Sequence, residues 1–297
     1  MDNLIKKANI LVEALPYIRT FAGKTIVIKY GGAAMTQDDL KEGFAEDVVL
    51  LKYVGLNPVV IHGGGPQVNT MLDRLGIKPK FINGVRITDQ ATMDVVEMVL
   101  GGKINKEIVS LLNQHGGKAV GLTGKDGRLF LTKPFNAKAL VQSLSGGTDV
   151  PEDHDYGLVG EVDKVDDHLL VKLLEENFIP VIAPIGVDKK GKTHNINADL
   201  VAGSVAGALH AEKLLVLSDV KGIRDADHHH VPTLSRKNTE RMVKKKVISA
   251  GMLPKVHACL SALQGGVHKA HIIDGRIPHA ILLEIFTDKG IGTEIVA

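Results

Sequence analysis

The chain has 297 residues, 44% of them hydrophobic, which is enough to bury a large core in one α/β domain or two lobes. Its 36 basic residues nearly balance 34 acidic ones, for a formal net charge of +2, and the lack of a long basic block argues against a nucleic-acid partner. The one cysteine, Cys259, cannot form an intrachain disulfide, and no apolar run reaches the roughly 18 residues of a transmembrane helix. With no recognisable signal peptide, the sequence predicts a cytoplasmic protein that does not bind membranes.

The first predicted element is an amphipathic helix over residues 2–20. Pro16 lies inside it, and an interior proline costs roughly 3 kcal/mol, so we expect a kink there. Packing against its own domain and self-association explain the apolar stripe equally well at this point, and we assign 1–20 as an oligomerisation helix. The stripe consists of Leu4, Ala8, Leu11, Leu15 and Ile18.

Short runs rich in valine and isoleucine alternate with helix-length segments through the rest of the chain, which predicts right-handed βαβ crossovers. The fold class is α/β, a three-layer αβα sandwich around a mainly parallel open sheet. We place one lobe at 21–178 and a second at 179–297, and expect hairpins over a cleft at 128–165 and 186–195. The predicted strands are 25–29, 58–61, 119–122, 179–182 and 214–217, and the predicted helices are 38–54, 67–75, 88–114, 166–176, 198–209 and 252–264.

Glycine loops follow the first two predicted strands. Lys29 precedes Gly31 and Gly32, and His62 precedes the run 63–65. Free N–H groups at such strand ends bind phosphate or carboxylate oxygens, although a single loop of this kind is more often a tight connection. Two loops at neighbouring strand ends, one of them beside a lysine, favour an anion site. The P-loop, dinucleotide-binding and protein-kinase motifs are missing from the sequence.

Polar groups also flank two later elements. Asn195, Asn197 and Asp199 open a predicted helix; we assign Asn197 as its N-cap and leave the other two side chains free for a ligand. The run 217–222 follows a strand at a position suited to nucleotide contacts, although the same run is almost equally typical of a simple turn. Lys255 lies near another helix start, and its local sequence alone predicts a solvated lysine.

A histidine run, 228–230, stands beside Asp225 and Asp227. Consecutive histidines lack the spacing of structural zinc sites, so we predict a solvated loop and no metal site.

Taken together, these segments resemble the amino acid kinase family. The Arg86 and Asn195 elements look like the branch that phosphorylates N-acetyl-L-glutamate, rather than aspartate, carbamate or uridylate. The resemblance covers nearly the whole chain and is carried by the segments 29–32, 62–65, 83–88, 195–199, 217–222 and 251–255.

The resemblance implies transfer of a phosphoryl group from ATP, with Mg²⁺, to the side-chain carboxylate of N-acetyl-L-glutamate. The products would be N-acetyl-L-glutamyl 5-phosphate and ADP, at an early step of arginine biosynthesis. Phosphoryl transfer needs mainly positioning and charge stabilisation, which lysines and glycine N–H groups supply. By resemblance, Lys29 and Lys255 stabilise the phosphoryl group, and Asp199 orients both lysines. The resemblance also implies that N–H groups contact the phosphoryl group from Gly31, Gly32 and Gly64, and that the acetylglutamate is held by Gly64, Gly65, Arg86 and Asn195. The residues near ATP would be Ser218, Asp219, Val220 and Gly222.

The N-terminal helix and the run 279–293 resemble the arginine-inhibited members of this branch, which are hexamers built as trimers of dimers. The resemblance implies an L-arginine site near Tyr17, Glu284 and Gly292. Without the resemblance, the local sequence predicts that Glu284 is a solvated strand or loop residue. The sequence leaves open whether a regulatory signalling protein binds. The competing functions are a kinase with another acceptor, a catalytically silent nucleotide- or arginine-binding regulator and, third, a hydride-transfer enzyme.

Overall fold

The computed structural model describes residues 1–139, 154–248 and 250–297. Its first half alternates strands and helices, with a long helix in front. The elements are α1 (Asp2–Phe21), β1 (Thr25–Tyr30), α2 (Asp38–Tyr53), β2 (Asn57–His62), α3 (Gly65–Arg74), β3 (Phe81–Ile82), β4 (Val85–Arg86), α4 (Gln90–Val96), a π-helical stretch (Glu97–Ile104), α5 (Asn105–Gln114), β5 (Ala119–Thr123) and β6 (Phe130–Pro134).

The second half continues the alternation and ends in a short strand. Its elements are β7 (Val159–Val165), α6 (His168–Glu175), β8 (Ile179–Ala183), β9 (Ile185–Val187), β10 (Thr193–Ile196), α7 (Ala198–Ala208), β11 (Lys213–Ser218), β12 (Thr233–Ser235), α8 (Arg236–Lys244), α9 (Leu253–Gln264), β13 (Lys269–Asp274), α10 (Ala280–Ile285) and β14 (Thr293–Val296).

One eight-stranded sheet organises the fold, in the order β12-β14-β13-β11-β1-β2-β8-β5. All its neighbours are parallel except β13 and β14. Successive side chains of β1 point to opposite faces: Ile26 and Ile28 enter one core with α2 and α5, while Val27 enters a second core with α7 and α9. The predicted α/β class, with a mainly parallel sheet covered on both faces, is confirmed.

The five predicted strands are adjacent in this sheet, from β11 to the edge strand β5, and each lies within one residue of its predicted bounds. The single helix predicted for 88–114 begins at Gln90, where Asp89 caps it by accepting the Thr92 N–H at 2.8 Å, and it contains the π-helical stretch. The lobe division at residue 179 stays a prediction. The strand that starts there, β8, lies between β2 and β5 in the continuous sheet.

The segments predicted as hairpins form a small closed barrel of β10, β7, β6 and β9 beside the sheet. Strand β6 pairs antiparallel with β7, and β9 pairs antiparallel with β10. Residues 140–153, inside the first predicted hairpin region, lie outside the described residues. The barrel places the end of β10, with Asn195, next to the carboxyl ends of the central strands.

Helix α1 runs continuously through Pro16, and the Thr20 hydroxyl donates to the Pro16 carbonyl at 2.9 Å. Much of its apolar surface is uncovered in the single chain. Of the helices that the structure describes, none combines the length and apolar character needed to cross a bilayer. The exposed apolar residues of α1 are Leu4, Ile5, Ile10, Leu11, Val12 and Leu15.

Candidate active site

A cleft of about 490 Å³ opens where the carboxyl ends of β1 and β2 meet the start of α7 and α9. The carboxyl ends of parallel strands share one edge of a sheet, and helix N-termini face the same side, so this edge suits an anionic ligand. Nine of the predicted residues line the cleft: Lys29, Gly31, Gly32, Gly64, Gly65, Arg86, Asn195, Asp199 and Lys255.

Two lysines share one carboxylate at the centre of the cleft. Lys29 Nζ lies 3.2 Å from Asp199 Oδ1, and Lys255 Nζ donates to Asp199 Oδ2 at 2.9 Å. The lysines come from β1 and α9, and Asp199 lies in the first turn of α7. Asn197 caps that helix by accepting the N–H groups of Asp199 and Leu200, as predicted, and so fixes the start from which Asp199 projects.

The charges in this trio are stabilised by their mutual ion pairs, against the cost of burial. Lys29 and Asp199 are only 8% and 5% exposed. Burial lowers the pKa of Lys29, against the attraction of Asp199. Burial also opposes ionisation of Asp199, but the two ammonium groups outweigh it and hold the pKa of this carboxyl below its ordinary value. One carboxylate against two ammonium groups leaves a net charge of +1, which a phosphoryl group would neutralise.

The glycine loops leave room for this arrangement. A Cβ on Gly31 would lie 2.6 Å from Lys29 Nζ, and Gly32 has φ +70° with Asp219 Oδ1 only 2.3 Å from its Cβ position. Asp219 instead accepts the Ala33 N–H at 2.6 Å, which ties the first loop to the end of β11. Side chains at either glycine would displace the charged groups beside the cleft.

Arg86 and Asn195 also line the cleft. The guanidinium of Arg86 lies 4.7 Å from the ring centre of Phe81, across the β3–β4 hairpin, and donates through Nη2 to the Gly65 carbonyl at 3.2 Å. Its Nη1 is buried and has no hydrogen-bond partner among the residues that the structure describes, and burial lowers the pKa of Arg86. Asn195 donates through Nδ2 to the Thr88 hydroxyl at 3.3 Å. The unpaired Nη1 is a donor available to a carboxylate ligand.

The residues assigned to ATP are not in the lining of the cleft but lie just beside it. Ser218 is the buried last residue of β11, the neighbour of β1. Asp219 is near enough to Lys29 for its charge to oppose the lowering of the Lys29 pKa by burial. Val220 is exposed. Gly222 has φ +135° and packs against Thr293.

The residues assigned to arginine are not in the lining of the cleft. The Tyr17 hydroxyl donates to Asp288. Glu284, expected from its own sequence context to be solvated, is 6% exposed, lies 2.7 Å from His271 Nδ1 and accepts the Ile291 N–H at 2.9 Å. Burial opposes its ionisation, but His271 keeps the pKa of Glu284 below its ordinary value.

At Gly292 the backbone is tightly packed, because a Cβ there would lie 2.2 Å from the Ile272 carbonyl. In the histidine loop, ligand atoms of Asp225, Asp227 and His229 come within 4.8 Å of one another and are largely exposed, as expected of a solvated loop.

Sequence reasoning missed Phe81, which lines the cleft and packs on the Arg86 guanidinium. The available signal was the dipeptide Asn83–Gly84 between apolar residues, which is typical of a two-residue hairpin. Both residues have positive φ, 51° and 79°, as that turn requires. Thr88, the partner of Asn195, had no comparable signal because its contact joins distant segments.

The model of the amino acid kinase family matches residues 24–274. This chain belongs to that family, and it is an enzyme of the kinase class. Within the family, it is 57% identical over 297 residues to the acetylglutamate kinase of Geotalea daltonii and 56% identical over 296 residues to that of Geotalea uraniireducens, with 100% of both chains covered in each case.

Among solved structures, the N-acetylglutamate synthase from Neisseria gonorrhoeae, in complex with coenzyme A and N-acetyl-glutamate, superposes with a TM-score of 0.82 at 27% identity. The match covers 98% of this chain and 63% of the synthase chain.

Proposed function

We propose that this protein transfers the γ-phosphoryl group of ATP to the side-chain carboxylate of N-acetyl-L-glutamate, giving N-acetyl-L-glutamyl 5-phosphate and ADP. The reaction would serve arginine biosynthesis in the cytoplasm. The observation that carries the proposal is the buried trio of Lys29, Asp199 and Lys255, with its net positive charge, lining the same cleft as Arg86. The full-length relatives named acetylglutamate kinase support the choice of acceptor.

The trio fits the electrostatic demand of an in-line transfer. The carboxylate oxygen of the acceptor attacks the γ-phosphorus as the bond to the bridging oxygen of ADP breaks, so negative charge spreads over the transferred group. Lys29 would meet this charge from the acceptor side and Lys255 from the nucleotide side. Asp199, held by both ammonium groups, would keep them in place. No covalent intermediate with the protein is needed.

Arg86, Gly65 and Asn195 would orient the acceptor. The unpaired Arg86 Nη1 would bind the α-carboxylate of acetylglutamate, and Gly65 and Asn195 would contact the rest of the molecule. The N–H groups of Gly31, Gly32 and Gly64 would bind oxygens of the phosphoryl group. Ser218, Asp219, Val220 and Gly222 would lie along the nucleotide, at the strand end next to Lys29.

Mg²⁺ would accompany the nucleotide. Among the described residues, the grouped metal-ligand side chains are Asp225, Asp227 and His229, outside the cleft, and Asp199 is engaged by both lysines. Such a cleft would suit a Mg²⁺ ion that arrives with the nucleotide rather than one held in a protein cage. When bound, the ion would neutralise phosphate charge.

The test is ADP release with Mg-ATP and N-acetyl-L-glutamate, with glutamate, aspartate, carbamate and UMP as alternative acceptors. We expect activity confined to acetylglutamate and reduced about 10²- to 10³-fold in kcat for Lys29→Ala, because a donor to developing charge is lost. Lys24→Ala, an exposed lysine just before the same strand, is the matched control. Activity on another acceptor would contradict the substrate, and full activity of Lys29→Ala would contradict the mechanism.

We also propose inhibition by L-arginine at the group formed by Tyr17, Glu284 and Gly292. The buried Glu284 carboxylate would pair with the guanidinium, and Lys213, which acts on the pKa of Glu284, offers a cation for the effector's carboxylate. We expect excess arginine to inhibit the wild type and to act less on Glu284→Gln than on Glu294→Gln, a carboxylate of β14. Unchanged wild-type activity in excess arginine would contradict this proposal.

The exposed apolar surface of α1 supports assembly as a hexamer, a trimer of dimers joined through this helix. Sedimentation of the double variant Leu11→Glu, Leu15→Glu should give a smaller particle than the wild type. Leu75→Glu, an exposed leucine outside α1, is the control. A wild type that sediments as a stable dimer would refute the hexamer.

A further inference from the structure

A buried polar pair lies behind the second glycine loop, and the proposed mechanism does not use it. His62 is the last residue of β2 and Asn105 is the first of α5, and both side chains are 0% exposed. Neither side chain is part of the cleft lining. Burying an imidazole and an amide costs free energy unless their polar atoms are paired, so their hydrogen bonds define what the pair can do.

The contacts of His62 determine its tautomer. Its Nδ1 lies 2.8 Å from the Gly63 carbonyl, which can only accept, so Nδ1 carries the hydrogen. Its Nε2 lies 3.2 Å from Asn105 Nδ2 and must therefore accept. Burial lowers the pKa of His62 to about 4, with Lys106 adding to the effect, so the ring is neutral at physiological pH.

The Asn105 amide is itself held in one orientation. Lys106 Nζ donates to Asn105 Oδ1 at 3.0 Å, and Asn105 Nδ2 donates to the Val181 carbonyl at 2.9 Å. Gly121 leaves the space for this amide, since a Cβ there would lie 1.9 Å from Oδ1. A hydrogen of the amide NH₂ group is thereby directed at His62 Nε2.

This network fixes both polar groups of Gly63. Its N–H donates to the Tyr30 carbonyl of β1 at 2.8 Å, and its carbonyl accepts from His62. In a planar trans peptide the C=O and the next N–H point in opposite directions. Holding the Gly63 carbonyl toward the buried ring therefore turns the Gly64 N–H away from that ring, and Gly64 itself lines the cleft.

The π-helical stretch supports the same loop from a second direction. Side-chain atoms of Ile104 and Leu100 lie 2.4 and 2.5 Å from the Cβ position of Gly64, so they fill the space directly behind it. Asn105 comes immediately after this stretch. An extra residue in a helical turn shifts the register of the residues after it, and π-helical turns are frequent at functional sites.

We propose that His62 and Asn105 are positioning residues that aim the Gly64 N–H at the phosphoryl group during transfer. The inference rests on the proposed function, because it is that function which gives the Gly64 N–H a ligand. The two side chains act through the peptide between Gly63 and Gly64 and touch neither substrate.

Two substitutions of His62 separate positioning from packing. His62→Leu fills the space without a donor, whereas His62→Asn keeps a nitrogen donor close to the position of Nδ1. We expect His62→Leu to lower kcat about 10²-fold with an unchanged KM for ATP, and His62→Asn to recover on the order of tenfold. Equal losses in both variants, or wild-type kcat in His62→Leu, would overturn the proposal.

A second measurement needs neither a variant nor activity. Nitrogen-15 NMR of the wild-type histidines should give His62 as the Nδ1–H tautomer throughout pH 5 to 8; an Nε2–H tautomer would overturn the proposal even if the variants fail to fold. A wild type that is inactive on acetylglutamate, with the expected tautomer, would instead refute the proposed function. The two failures are therefore distinguishable.

Discussion

The trio of Lys29, Asp199 and Lys255 gives the sharpest prediction, because Asp199→Asn removes one charge and almost no volume. Each ammonium group lies about 3 Å from the carboxylate, where the attraction of unit charges is on the order of 5 kcal/mol at an effective dielectric constant of about 20. Desolvation offsets much of that. Removing one partner of a buried pair nevertheless costs about 3–5 kcal/mol, because the other charge is left uncompensated.

The variant should therefore lose stability and change its pH dependence. Asp199 raises the pKa of Lys29 in the wild type, so its loss lets burial lower that pKa further. Lys29 then deprotonates at a lower pH, and activity should decline with rising pH earlier than in the wild type. We also expect kcat to fall about 10²- to 10³-fold, because the two ammonium groups are no longer held at the site of developing charge.

The assay is ADP release across pH 6 to 10, with denaturant unfolding of the same samples. Asp47→Asn is the matched control, since Asp47 is a carboxylate only 1% exposed that lies outside the cleft and contacts His279. A kcat and pH profile like those of the wild type in Asp199→Asn would refute the reasoning. A loss of activity equal to that of the control would assign the effect to stability alone.

Three further predictions concern single residues. Gly64→Ala should lower the free energy of unfolding by about 1–3 kcal/mol and remove most activity, because φ at Gly64 is +154° and the added Cβ would meet Ile104 and Leu100. Denaturant unfolding tests this, and a variant as stable as the wild type would contradict it. Arg86→Lys should raise KM for acetylglutamate about tenfold or more, and not KM for ATP, because the fork is lost; steady-state kinetics test it. Burial raises the pKa of Asp47 to about 6, so the folded state binds the proton more tightly than the unfolded state. The wild-type free energy of unfolding should therefore fall as pH rises from about 4 to 6. Asp47→Asn should flatten that slope, and an unchanged slope in the variant would assign the pH dependence to another group.

The alternation of apolar runs and helix-length segments was enough to predict the α/β class and five adjacent strands of the sheet. Four of those strands, β1, β2, β8 and β11, are almost wholly buried and rich in aliphatic residues, because burial on both faces removes polar residues from them. The edge was harder to predict: β12 has three residues, β14 has four, and α10 has six. Segments this short have too few residues for a period to be recognised.

The site was predictable in its residue types and not in its pairings. Lys29 and Asp199 stand at a strand end and a helix start, where parallel topology collects side chains, whereas Lys255 was assigned only through the family resemblance. Their shared ion pairs join residues that are far apart in the chain, and local sequence carries no information on such distances. Glu284 is the opposite case, since its own neighbourhood predicts solvent and the fold buries it against His271.

The sequence by itself determined the class of fold, the loops that can bind an anion and the charged residues available to them, because propensity, periodicity and glycine placement are local properties. The tertiary structure alone decided that two lysines share one buried carboxylate, that Arg86 keeps a buried unpaired donor and that His62 is held neutral behind the glycine loop. These features depend on desolvation and on contacts between distant segments, and both arise only when the chain has folded.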